Sequence, residues 1–153
     1  HMCCGSCKAA ATAGIKSVPF ADSVSIDGTV ATVTAKPDQK VDLIALRDAM
    51  SKSGFPAKEI MVSGPVTLTV AHMCCAGCAN DLKAAMAQVR SNLLDKDHVV
   101  VDQAAKTLTI QPVAGMSMNI IPILRQMENA VYGASKGTLA TASSARTKRV
   151  AVR

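Results

Sequence analysis

A seven-residue segment occurs twice in this chain, and that duplication constrains the fold more than any other feature. His1-Met2-Cys3-Cys4-Gly5-Ser6-Cys7 returns as His72-Met73-Cys74-Cys75-Ala76-Gly77-Cys78, 71 positions later, and the two copies hold all six cysteines. Scattered structural cysteines do not cluster this way, so the thiols are gathered for one chemistry at two equivalent places. A chain of 153 residues has room for one medium domain or two small ones, and the repeat favours two of about 70–80 residues. Domains of that size bury modest cores and depend on good packing, a metal or a neighbour for stability.

The flanking sequence repeats with the cysteines. Cys7, Ala11, Gly14, Ile15 and Val18 form a stripe of helical period, matched by Cys78, Leu82, Ala85, Met86 and Val89. Pro19 closes the first helix. Two alternating runs follow, 23–27 and 29–35, joined at Asp27-Gly28 as in a hairpin. A second helix carries Leu43, Leu46 and Met50 on one face and stops at Gly54-Phe55-Pro56, and a short strand is expected over 57–62. After Ser63-Gly64-Pro65, a strand over 66–70 leads straight into the second cysteine segment. The order then returns: strands at 99–102 and 106–111, a helix from about 119 to 131 with Pro122 in its first turn, and a strand over 138–141. The offset grows from 71 to 77 between Val89 and Val99, which places an insertion in the loop 90–98.

The predicted fold is therefore α+β: two tandem ferredoxin-like βαββαβ domains, residues 1–63 and 64–142, followed by a basic tail or candidate strand over 143–153. The first domain lacks its own opening strand. That strand is central in such a sheet, so its absence leaves a gap. The segment 148–153 has the right alternation to fill it, with Val150 and Val152 expected in the places of Leu68 and Val70. The pairing strand would come from the same chain or from a neighbour in a strand-swapped homodimer.

Composition narrows the functions. The longest apolar runs fall far short of the ~20 residues of a membrane span. Net charge is +6, and after Glu128 the chain carries five cations and no acid. That pattern reads as a solvated basic end and not as a specific nucleic-acid site. RNA-recognition modules share this fold class but need stacking aromatics on central strands, and here only Phe20, Phe55 and Tyr132 are aromatic. No paired carboxylates, Ser/His/Asp set or phosphate loop stands out, so an enzyme is not expected.

A Cys-x-x-Cys at a helix start sets two thiols beside unpaired backbone N–H groups, where the helix dipole favours the thiolate. Soft thiolates select Cu(I), Zn(II), Cd(II) or Hg(II). In this the segments resemble the heavy-metal-associated domain family of copper chaperones, mercury carriers and the repeats ahead of metal-pumping ATPases. The family's loop is Gly-Met-x-Cys-x-x-Cys, matched by Met2, Cys4 and Cys7 and by Met73, Cys75 and Cys78. The stretch 49–57, with Gly54-Phe55, resembles the family's second-helix ending, which approaches the metal loop. Residues 127–132 are a weaker version, with Val131 in the glycine's place before Tyr132.

The resemblance implies that Cys4/Cys7 and Cys75/Cys78 are ligands and that Met2 and Met73 pack beneath their loops. Two departures bear on the donor set: Cys3 and Cys74 offer a third sulfur or stand as spare exposed thiols, and His1 and His72, in place of the family's glycine, read as solvent-facing beside the site with a nitrogen ligand as the alternative. The implied function is binding and transfer of soft metal ions, Cu(I) first, to a metal-transporting ATPase or another thiol-bearing acceptor. The alternative is a dithiol–disulfide redox protein using the same pairs, although the thioredoxin-like order is absent. The compartment, cytoplasmic or periplasmic, stays open.

Overall fold

The computed structural model describes residues 4–37, 39–89, 94–139 and 149–152. His1, Met2, Cys3, residues 90–93 of the expected insertion, the end of the strand expected over 138–141 and tail residues 143–148 lie outside the described residues. The described residues form a mixed α+β structure of four helices and two five-stranded sheets. In order the elements are α1 (Gly5–Lys16), β1 (Ala21–Asp27), β2 (Val30–Ala35), β3 (Val41–Asp42), α2 (Leu43–Lys52), β4 (Ile60–Val62) and β5 (Val66–Val70). There follow α3 (Ala76–Ala87), a 3-10 turn at Lys96–His98, β6 (Val100–Asp102), β7 (Thr107–Ile110), β8 (Met118–Asn119), α4 (Ile121–Asn129), β9 (Ala134–Leu139) and β10 (Arg149–Val152).

One sheet runs β3-β9-β5-β7-β6. Its strand β5, which leads into the second cysteine segment, is central between β9 and β7, as a ferredoxin-like unit requires. The other sheet runs β1-β2-β10-β4-β8. Here β10, from the C-terminal end of the same chain, holds the corresponding central place, antiparallel to both β2 and β4. The pairing differs from expectation by two residues. Val150 pairs with Val33 and Val152 with Ala31; 77 positions on, Val66 pairs with Ile110 and Leu68 with Leu108. Val150 and Val152 thus stand where Val66 and Leu68 stand, not Leu68 and Val70. A two-residue shift keeps both valines on the core face, so alternation alone does not distinguish the two registers. Both are buried.

The helical stripes are the buried faces. Ala11 and Ile15 are buried from α1 with Val18 just beyond its end, and Leu82, Ala85 and Met86 from α3 with Val89 just beyond its end. Gly14 lets α1 approach α2, because a Cβ there would collide with the Ser53 side chain. Among the described residues no polar side chain is buried, and the apolar core runs as one cluster from Ile15 to Val152.

The two-residue strands β3 and β8, absent from the sequence reading, join the sheets. β3 pairs with β9 (Val41 with Leu139, Asp42 with Thr138), and β8 pairs with β4 (Met118 with Val62, Asn119 with Met61). Each covers an edge that would otherwise present unpaired N–H and C=O groups. The two contacts are equivalent, since every pair in one maps onto the other 77 positions away. Asp42 Oδ1 caps α2 by accepting from Ile44 N (3.1 Å) and Ala45 N (3.2 Å), and also accepts from Gly137 N (3.3 Å) across the seam. Asn119 Oδ1 repeats this, accepting from Ile121 N and from Ile60 N, both at 3.1 Å. Arg47 Nη1 donates to Glu128 Oε1 at 2.9 Å over the same seam.

Two expected strands change most. β4 begins at Ile60, not 57, and β9 begins at Ala134, four residues before the expected start. Ala134-Ser135-Lys136-Gly137 has no β-branched or aromatic residue to announce a strand. It is held by pairing with β5, and Gly137 lies where a Cβ would come within 2.9 Å of Leu68 and 3.4 Å of Ile44.

Candidate metal centre

The second cysteine segment is built by three local rules. From His72 to Cys74 the burial alternates, exposed, buried, exposed. His72 and Cys74 point outward together, while Met73 is buried at 2% exposure and pins the loop to the core. Cys75, at φ −150° and ψ 171°, is the N-cap of α3, and Cys78 is in its first turn. No side chain caps this helix, so its N-terminal N–H groups face the sulfurs and favour negative charge there.

The result is a convergent donor set. Cys78 Sγ lies 3.5 Å from Cys74 Sγ and 3.6 Å from Cys75 Sγ. A ring nitrogen of His72 and the Cys74 and Cys78 sulfurs all lie within 4.8 Å of one another, a spacing that can hold a metal ion. Cys74 and Cys75 are exposed, and Cys78 is half-buried. The backbone N–H of Cys74 directed at its sulfur, joined by the Cys74 and Cys75 thiols and the Cys75 N–H, lowers Cys78 to about 7. The Cys74 thiol, hydrogen-bonded to Cys78 and Cys75, is pushed up. One sulfur of the cluster therefore carries charge near neutrality.

The turn after α4 braces this loop. Val131 (φ 65°) takes the left-handed position, and Tyr132 N donates to Met127 O at 2.9 Å. The chain then meets the loop entry through Ala71 N to Gly133 O (2.9 Å) and His72 N to Tyr132 O (3.4 Å). Tyr132 OH donates to Asp81 Oδ2 at 3.5 Å. Partial burial and the charges of Asp81 and Cys78 raise the Tyr132 hydroxyl. Asp81 was not singled out in the sequence, although it stands three residues after Cys78, on the same helical face.

The first segment follows the same local plan where it is described. Cys4 is the N-cap of α1, again without a side-chain cap, and its Sγ donates to Cys7 Sγ at 3.0 Å. Ser6 Oγ lies 3.1 Å from Cys4 Sγ. Gly54 (φ 84°) makes the turn after α2, with Phe55 N donating to Met50 O at 2.9 Å, and Phe55 packs half-buried against the core. In the places of Ala79 and Asp81, 71 positions earlier, stand Lys8 and Ala10.

A family model for the heavy-metal-associated domain matches residues 1–56, which hold the first cysteine segment and the elements through α2. This similarity, with the Cys/His cluster of the second segment, supports heavy-metal binding in general. No curated protein and no solved structure matches the chain.

Proposed function

We propose that the chain binds soft heavy-metal ions at two Cys-Cys-x-x-Cys loops and passes them to a thiol-bearing acceptor. The ligands are Cys4 and Cys7 with Cys3 in the first loop, and Cys75 and Cys78 with Cys74 in the second. In this reading residues 1–63 and 64–142 are two heavy-metal-associated domains in tandem. The shared element order of the two sheets supports it. The carrying observation is the approach of the Cys74 and Cys75 sulfurs to Cys78 Sγ at 3.5 and 3.6 Å, at an uncapped helix N-terminus. Thiolates in that setting take Cu(I), Zn(II), Cd(II) or Hg(II) over hard oxygen-seeking ions. Cu(I) is the favoured ion at a loop that engages it through sulfur alone.

Exposure suits transfer. An acceptor thiolate can reach an ion held by Cys74 and Cys75 without the core opening, so the ion moves by ligand exchange, as to a metal-transporting ATPase. The chain acts as a binding and carrying module and performs no catalysis. Native mass spectrometry of the reduced chain, offered Cu(I), Zn(II), Cd(II), Hg(II) and Mg(II) in competition, tests the reading. Soft ions should be retained and lost after thiol alkylation. Retention of Mg(II), or of no ion, contradicts it.

A further inference from the structure

We propose that the second loop is a four-donor site for a tetrahedral divalent ion of the zinc class, held by His72, Cys74, Cys75 and Cys78. This rests on the reading that the loop binds a metal ion, and it names which ion and through which atoms.

The donors that converge on Cys78 define the site. Cys74 Sγ and Cys75 Sγ stand 3.5 and 3.6 Å from its sulfur. His72 adds a nitrogen donor, because its ring nitrogen lies within 4.8 Å of the Cys74 and Cys78 sulfurs. His72 and Cys74 are both exposed, while Met73 between them is buried. Three cysteines and one histidine are a set that zinc takes in four-coordinate sites, whereas sulfur alone suits Cu(I).

Charge points the same way. Three thiolates leave a monovalent ion with a larger uncompensated negative charge than a divalent one. Asp81, held by Tyr132 OH one turn beyond Cys78, adds to it. The first segment has the opposite arrangement, with Lys8 directly after Cys7 and Ala10 in the aspartate's place. A negative surrounding favours the higher charge, so the two loops differ in the ion they select.

The test uses the full chain with the first loop silenced by Cys3→Ser, Cys4→Ser and Cys7→Ser. Co(II) serves as a spectroscopic stand-in, and Zn(II) and Cu(I) affinities are read by chelator competition. The intact second loop should give a tetrahedral Co(II) ligand-field spectrum, and X-ray absorption of the Zn(II) form should count three sulfurs and one nitrogen. His72 is exposed, so His72→Gln leaves the fold intact. It should lower Zn(II) affinity at least about tenfold, since even residues beyond the ligand shell cost that much, and change Cu(I) affinity less than about twofold. Unchanged Zn(II) affinity and Co(II) spectrum in His72→Gln, or an equal loss for both ions, overturns the four-donor site. If the intact loop retains neither Zn(II) nor Cu(I), the metal-binding reading itself fails, and this one with it.

Discussion

At the scale of single residues, Cys78 and Val131 make the sharpest statements. Cys78 is lowered from 9.0 to about 7 by the Cys74 N–H and its thiol neighbours, while Cys74 is raised. A lowered thiol is charged above its own pKa and protonated below it. Metal-free protein should therefore alkylate at Cys78 before Cys74 near pH 7, with the rate falling as pH drops below about 7. Peptide mapping after brief iodoacetamide treatment reads this directly. Val131 is 81% exposed with φ 65°, a backbone state that a β-branched residue adopts only under strain. Its counterpart 77 positions earlier is Gly54, which reaches φ 84° without a Cβ to clash. Val131→Gly relieves that strain and loses little packing, so it should stabilise by about 1 kcal/mol, or about 2–4 °C in Tm. Thermal melts check it.

At the scale of elements, the seam depends on two side chains that each serve a helix and a strand. Asp42→Ala removes the cap of α2 and leaves the buried Gly137 N–H without its acceptor. The expected loss is about 2–3 kcal/mol in urea unfolding, against less than about 1 kcal/mol for Asp42→Asn, which keeps an acceptor oxygen. The same elements show how much the sequence reveals. The helices were legible, since Ile15, Leu46, Met86 and Ile123 recur at helical spacing and all are buried. The loop was legible too, because Cys-x-x-Cys with a buried methionine before it carries its own geometry. The register of β10 was not, because Val150 and Val152 face the core in either of two alignments. β3 and β8 were invisible because two residues carry no period, and β9 was disguised by alanine and glycine. What decides all three is a partner strand distant in sequence.

At the scale of the whole molecule, the two sheets are completed by each other and by the far end of the chain. β10 joins β2 to β4, and β4 in turn meets β8. Deleting residues 146–153 removes the middle of that sheet and exposes Val33 and Ile60. Hydrogen exchange should then show lost amide protection in β2 and β4 with β5 and β7 retained. Unchanged protection in β2 would contradict the pairing. That architecture presents both cysteine loops at the starts of helices, α1 and α3, where each is proposed to hold one soft ion. The decisive measurement is native mass spectrometry of the Cys75→Ser/Cys78→Ser chain. The unmutated chain should retain two ions and the variant one; a variant that still retains two, or an unmutated chain that retains none, rules out one ion per loop.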